Sequence, residues 1–334
     1  MRIAVDAMGG DYAPTEIIKG AIEASGRYRI PVTLVGDKES IDRELAKHAA
    51  AGLPLEVKHA SEVVQMDEQP ANAIRRKSDS SIVVAADLVK SGEAQAMVSA
   101  GNTGAAMAVA TLRLGRIEGI DRPAIGAILP TMSGRAVMLD AGANVDCSVE
   151  NLLQFAVMGS EFAERVLKIR KPRVGLLSIG EEAIKGNELT KAANARLSQT
   201  SLNFVGNVEG KDVFRGAADV VVCDGFAGNI VLKAGEGMAE FVLATLNQEI
   251  NRGLLYRLGA LFLRPALWRA KTKLDYAEYG GAPLLGVNGV CVICHGRSDA
   301  RAICNAIRAA ADAVKNDVVG CISTSLRRSE PITS

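Results

Sequence analysis

Aromatic residues are scarce in this chain, making up 4% of its 334 residues with a single tryptophan, Trp268. A core must therefore be built from Ala, Val, Leu and Ile, which suits the hydrophobic content of 48%. An excess of one charge is also missing. The net charge of +1 argues against a broad nucleic-acid-binding surface. No apolar run reaches membrane-spanning length, and Met1 leads directly into a strand pattern, so no signal peptide is expected. Several of the six cysteines (147, 223, 291, 294, 304 and 321) lie inside apolar runs. Reduced thiols in a cytosolic setting are the expectation, rather than disulfides. No Pro/Ser-rich linker or low-complexity block divides the chain. We expect one α/β domain over residues 1–322 and a flexible tail over 323–334.

Short apolar runs alternate with helical patterns. Arg2–Val5, Ala96–Ser99, Ala124–Leu129, Ala136–Leu139, Val220–Cys223 and Val290–Cys294 are among the predicted strands. Thr15–Ser25, Thr103–Leu114, Ser148–Leu167, Asn229–Ile250 and Ser298–Val318 are among the predicted helices. This alternation implies an α/β fold with a mainly parallel, Rossmann-like sheet and helices on both faces.

Five Gly/Asn-rich loops each follow a predicted strand: Asp6–Asp11, Ser99–Gly104, Asp140–Asn144, Lys185–Glu188 and Asp224–Asn229. In an open parallel sheet such loops gather at the carboxyl ends of the strands, where ligands bind. Glycine lets backbone N–H groups approach an anion closely, and helices that start there add a positive dipole end. The candidate phosphate and substrate residues are Asp6, Gly9, Gly10, Asp11, Ser99, Gly101, Asn102, Thr103, Asn144, Asn187 and Gly228. Each has a plainer reading as a tight turn or a helix cap. Lys185 is the cation embedded in one of these loops, and Asn229 and His295 are candidate oxyanion donors.

Other chemistries fit poorly. Asp6–Asp11 is not G-x-G-x-x-G, and no acidic residue suitably follows a second strand, which disfavours a dinucleotide. Its two aspartates find no further carboxylate at metal-ligand spacing. Cys291-Val-Ile-Cys294-His295 has the form of a haem-attachment motif, but it lies in an apolar strand, and zinc would need a second pair of ligands. We expect no metal and no cofactor.

The segment 252–273 carries six cations and no acid: Arg252, Arg257, Arg264, Arg269, Lys271 and Lys273. Leu254, Leu258, Leu261, Phe262 and Trp268 recur there at roughly helical spacing, with Gly253, Gly259 and Pro265 predicting short broken helices. Such a stretch suits an anionic membrane surface or an acidic protein, or is a core helix pair with solvated arginines.

The opening Met1–Asp11, the Ser-Ala-Gly-Asn-Thr-Gly turn, Gly175–Glu182, Lys185–Glu188, Asp224–Asn229, Asp275–Val290 and His295–Arg297 together resemble the bacterial phosphate acyltransferase family, in order and over about residues 1–320. The resemblance implies a fold like the isocitrate-dehydrogenase and phosphotransacetylase group. It implies reversible transfer of a fatty acyl group from acyl carrier protein to inorganic phosphate. The acyl phosphate product would feed a downstream membrane acyltransferase in phospholipid synthesis. It further implies a homodimer, cytoplasmic and peripherally associated with the membrane.

Phosphate needs little activation as a nucleophile, and a thiolate with a parent pKa of about 8.5–9 needs little acid assistance. Alignment and charge stabilisation are what remain for the protein to supply. We therefore expect direct attack, with Lys185 and loop N–H groups holding phosphate and Asn229 or His295 stabilising the oxyanion. The rival is an acyl-cysteine on Cys223. Transfer to or from coenzyme A and a non-enzymatic lipid-binding scaffold are the alternative functions.

Overall fold

The computed structural model describes residues 1–274 and 280–329. Two sheets are built from twelve strands: β1 (Ile3–Asp6), β2 (Val32–Gly36), β3 (Leu55–His59), β4 (Ala96–Ser99), β5 (Ala124–Ile125), β6 (Ala127–Thr131), β7 (Gly134–Leu139), β8 (Val174–Leu177), β9 (Phe204–Val208), β10 (Val220–Val222), β11 (Ala282–Leu285) and β12 (Val290–Ile293). The seven-stranded sheet runs β3-β2-β1-β4-β12-β11-β5 and the five-stranded sheet β6-β7-β10-β8-β9. Pairing is parallel except around β11, which is antiparallel to β12 and β5, and between β6 and β7. The α/β class is as the sequence predicts.

The predicted strand Ala124–Leu129 divides at Gly126, with β5 joining one sheet and β6 the other. The Gly126 N–H donates to the Pro283 carbonyl at 2.8 Å, which holds the crossing point against β11.

Strands such as Val220-Val221-Val222 are fully buried, as a sheet covered on both faces requires. Helices Thr15–Tyr28 and Ala300–Lys315 pack Ile17, Ile18, Ile303 and Ile307 over β1, β2 and β4. Helix Ser81–Lys90 covers the opposite face through Ile82 and Val83. One hydrophobic cluster continues from Met97 and Ile293 in the larger sheet to Met138 and Val221 in the smaller, so both share a core. Helix Val149–Arg165, started by a capping box between Ser148 and Asn151, packs Phe155 and Met158 on the outer face of the smaller sheet.

Two sequence expectations are corrected. Residues from 323, expected as a tail, continue helix Val318–Ser329, because Val318, Ile322 and Leu326 form a stripe four residues apart on the Phe155 cluster. Residues 330–334 lie outside the described residues. The basic segment forms one helix, Leu254–Leu274, with Pro265 inside it. Proline lacks the N–H that would bond the Leu261 carbonyl, and Leu261 is 63% exposed, so that turn faces solvent rather than a core. This helix follows the long helix Gly225–Ile250, and both present large apolar side chains to solvent.

Candidate active site

The loops following the strands meet in two groups. In the larger sheet, Asp6–Asp11, Ser99–Gly104 and 294–298 touch: the Asp11 N–H donates to the Gly296 carbonyl at 2.8 Å. A Cβ on Gly9 would stand 2.5 Å from Asp6 Oδ2 and 2.8 Å from the Gly101 nitrogen, so only glycine allows this approach. In the smaller sheet, Asp140–Asn144 meets Asp224–Asn229. There a Cβ on Gly228 would collide with the Asp140 carbonyl oxygen.

A cleft of about 370 Å³ opens between the groups, within the usual range for small-molecule sites. Its polar lining includes Thr103, Asn229, Lys233, Glu236, His295 and Ser298. Its apolar lining comes from Ile125, Ala127, Ile128, Leu232, Ala282 and Ile293, around the place where the chain crosses between sheets.

Several predicted site residues build the loops rather than face the cleft. Asp6 is buried; its Oδ2 accepts from Ser99 Oγ at 2.7 Å, and Ser99 Oγ in turn accepts from the Gly101 N–H at 3.1 Å. Burial pushes the Asp6 carboxyl above its ordinary value, against hydrogen bonds that lower it. A buried carboxylate would repel phosphate, so Asp6 and Ser99 fasten two loops together. Asn102 caps helix Thr103–Val109 by accepting from the Ala105 N–H at 3.0 Å, and its amide donates to the Met66 and Glu68 carbonyls. The amide of buried Asn144 donates to the Pro123 carbonyl at 2.8 Å and to Asp140 Oδ2 at 2.9 Å. Asn187 caps helix Glu188–Leu197 and is exposed. Gly10 and Asp11 lie against the 294–298 loop, with Asp11 exposed, and Gly228 seats the helix start on the loop after β7.

Lys185 is exposed and lies outside the lining of the cleft. Its loop follows β8 at the carboxyl end of the smaller sheet. The Lys185 carbonyl accepts from Ser178 Oγ at 3.2 Å, and the buried Asn207 amide donates to the Glu182 carbonyl at 2.9 Å.

Thr103, Asn229 and His295 do come together. Asn229 lies in the second turn of helix Gly225–Ile250, whose N-cap Asp224 accepts from the Ala227 N–H at 2.7 Å. It stands opposite Gly142, and among the described residues no partner takes its amide. His295 Nε2 lies 3.1 Å from Lys233 Nζ, which is 2.7 Å from Glu236 Oε2. Burial and then the Lys233 charge hold the imidazole below its ordinary pKa. Sequence reasoning missed Lys233 and Glu236. Their signal is the spacing i, i+4, i+7 from Asn229, which marks one face of the predicted helix.

Cys223 is buried and does not line the cleft; its Sγ lies 3.4 Å from the Asp140 carbonyl oxygen, and burial pushes its thiol well above the ordinary value. Cys294 lines the cleft, its thiol pushed up to about 12 by burial. Among the described residues no three His, Cys, Asp or Glu side chains gather as a metal site.

On helix Leu254–Leu274, Phe262 is 86% and Trp268 62% exposed, and Arg252, Arg257, Arg264 and Arg269 are exposed as well. The side chains of Lys271 and Lys273, and residues 275–279 of the C-terminal signature, lie outside the described residues.

Comparison with known proteins gives concordant matches. A family described as "fatty acid synthesis protein" matches residues 1–320. The phosphate acyltransferase of Pelotomaculum thermopropionicum is 56% identical over 330 residues, covering 99% of this chain and 96% of that one. That of Geobacter sulfurreducens is 56% identical over 318 residues, covering 95% and 92%. Among solved structures, the EutD phosphotransacetylase from Staphylococcus aureus aligns with a TM-score of 0.61 at 15% identity, covering 94% of each chain. A phosphotransacetylase from Streptococcus pyogenes aligns with a TM-score of 0.60 at 19% identity, also covering 94% of each. These structural likenesses bear on the fold.

Proposed function

The chain belongs to the fatty acid synthesis protein family and is an acyltransferase acting on phosphate, and we propose that it carries out its chemistry in the cleft between the two sheets, with acyl carrier protein as the acyl donor. The observation that carries this reading is the meeting of Thr103, Asn229 and His295, from separate elements, over an apolar lining in one cavity.

A phosphate oxygen attacks the thioester carbonyl carbon. The new C–O bond forms, negative charge develops on the carbonyl oxygen, and the C–S bond then breaks to release the carrier's thiolate. The Asn229 amide supplies N–H donors where the oxyanion develops, and one such donor is worth about 3–4 kcal/mol. Neutral His295 lines the same space without adding a charge. Lys185, on its exposed loop, acts as an outer cation that draws phosphate toward the carboxyl end of the smaller sheet. The apolar lining takes the first part of the acyl chain, each buried methylene contributing about 0.8 kcal/mol. Reversal uses the same groups, with thiolate attacking acyl phosphate.

Among the described residues no helix is long and apolar enough to cross a membrane. The exposed Leu, Phe and Trp side chains of helix Leu254–Leu274, interleaved with arginines, support peripheral attachment to an anionic bilayer at the cytoplasmic face. Acyl phosphate would pass from there to a membrane acyltransferase. The exposed apolar side chains of helix Gly225–Ile250 suit a homodimer.

The deciding experiment follows thiol release from acyl carrier protein and from acyl-CoA, each with and without phosphate. Phosphate-dependent release from the carrier at the higher kcat/KM is expected. Preference for acyl-CoA would make it a phosphotransacetylase-like enzyme, and no release from any donor would sink the reading.

A further inference from the structure

Lys233 is placed where an anion-binding cation would act. Helix Gly225–Ile250 brings Asn229, Lys233 and Glu236 onto one stripe, and all three line the cleft. Among the described residues lining it, Lys233 is the one lysine or arginine. An ordinary Lys–Glu pair three residues apart on a helix is a solvated surface contact of little weight. This one differs in its third member. Lys233 Nζ also reaches His295 Nε2 at 3.1 Å, on the loop after β12 in the other sheet, so the ammonium bridges both walls of the cavity. An ammonium carries three donors; Glu236 and His295 engage two, leaving one for an incoming anion.

We propose that Lys233 binds the phosphate dianion in the cleft, with Glu236 as the counter-ion that phosphate displaces. This deepens the acyl-transfer reading and rests on it. It gives the seating of phosphate beside the reacting carbon, which the sequence assigns to Lys185, to Lys233, and leaves Lys185 on its exposed loop to attract the anion from outside. It also gives His295 a defined state. While Lys233 donates to Nε2, the imidazole is neutral and carries its proton on Nδ1. A protonated ring would set two cations 3.1 Å apart. Asn229, one turn before Lys233 on the same face, then meets the carbonyl oxygen while Lys233 meets the nucleophile.

The test uses the full chain and inorganic phosphate. Lys233→Met should raise the phosphate KM about tenfold or more, the loss of a charge-assisted hydrogen bond, and leave the thioester KM within about twofold. Lys233→Arg should recover most of the loss, and Glu236→Gln should lower the phosphate KM by removing the competitor. The His295 ring resonances report the contact independently. In Lys233→Met their titration should move up toward the ordinary value, with Glu236, Arg297 and Asp11 still facing the ring. An unchanged phosphate KM in Lys233→Met overturns the proposal. If the wild-type protein releases no thiol from any donor, the reaction assignment fails separately. Phosphate binding by calorimetry to wild type and Lys233→Met then still judges Lys233, and equal affinities reject it.

Discussion

Asp140 holds Asn144 twice, accepting at Oδ2 from its backbone N–H at 2.6 Å and from its side-chain amide at 2.9 Å. The other carboxylate oxygen accepts from the N–H groups of Ile125, Gly142 and Ala143 at 3.0, 3.2 and 3.1 Å. Five donors on one buried carboxylate fix the loop after β7, and Gly142 of that loop stands opposite Asn229. Asp140→Asn puts an amide nitrogen against at least two of those donors in either orientation. We expect a loss of about 2–3 kcal/mol in urea unfolding. A fall in kcat larger than any rise in phosphate KM should accompany it, because the Asn229 wall is displaced. Unchanged stability would show that the loop is held by other means.

Asn229→Ala removes the amide proposed to meet the oxyanion while leaving the helix and its Asp224 cap in place. The expected result is a fall of about a hundredfold in kcat, with KM for both substrates nearly constant, since the bond is made only as charge develops. Steady-state kinetics with phosphate and the thioester varied in turn decides this. A purely KM-based defect would assign Asn229 to ground-state binding.

The loops themselves were legible because glycine and asparagine after apolar runs have few other reasons to recur. Which of them would converge was not. Convergence depends on a division at Gly126 that sends β5 and β6 to different sheets, and an unbroken apolar run hides it. Lys233 and Glu236 escaped for a related reason. They share the Asn229 face in the predicted helix too, but a Lys–Glu pair three residues apart looks like a solvated surface contact until the loop after β12 is placed against it. The helix Val318–Ser329 was obscured by its serines and arginines, although Val318, Ile322 and Leu326 keep a four-residue period.

His295 should titrate below the ordinary histidine value of about 6.5, because burial and then Lys233 disfavour the imidazolium. The sign of the linked stability follows. Above pH 6.5 both folded and unfolded states hold a neutral ring, and the group's contribution is fully present. As pH falls through 6.5 the unfolded state takes up the proton first, so stability declines until the folded value is passed. Proton NMR of the ring resonances gives the midpoint, and His295→Gln should flatten this part of the stability profile. A midpoint above 6.5 would contradict the Lys233 contact.

Cys223 lies against the Asp140 carbonyl, with its thiol held far from ionisation. A nucleophile of that kind would have to lose its proton in a desolvated setting beside two aspartates, Asp140 and Asp224. Cys223→Ala should retain kcat within about threefold and lose about 1 kcal/mol of stability from the smaller side chain. Native protein should also resist alkylation at this position. Mass-spectrometric trapping of an acyl group on Cys223 would restore the covalent route.

Helix Leu254–Leu274 offers the membrane or the carrier exposed apolar side chains with arginines between them, and the two contributions can be separated. Each arginine near an anionic bilayer contributes about 1 kcal/mol. Reversing Arg257 and Arg264 to glutamate removes at least about 2 kcal/mol, a weakening of roughly thirtyfold. That loss should shrink as salt rises, since exposed charges are screened within about 8 Å at physiological ionic strength. Phe262→Ser with Trp268→Ser should weaken binding at every salt concentration, because apolar burial does not depend on screening. Co-sedimentation with vesicles of anionic or neutral lipid reads both effects. Titration with acyl carrier protein then shows whether the same arginines serve that acidic partner. Vesicle and carrier binding left intact by the double charge reversal would leave the arginines solvated and the helix apolar face free for another copy of the chain.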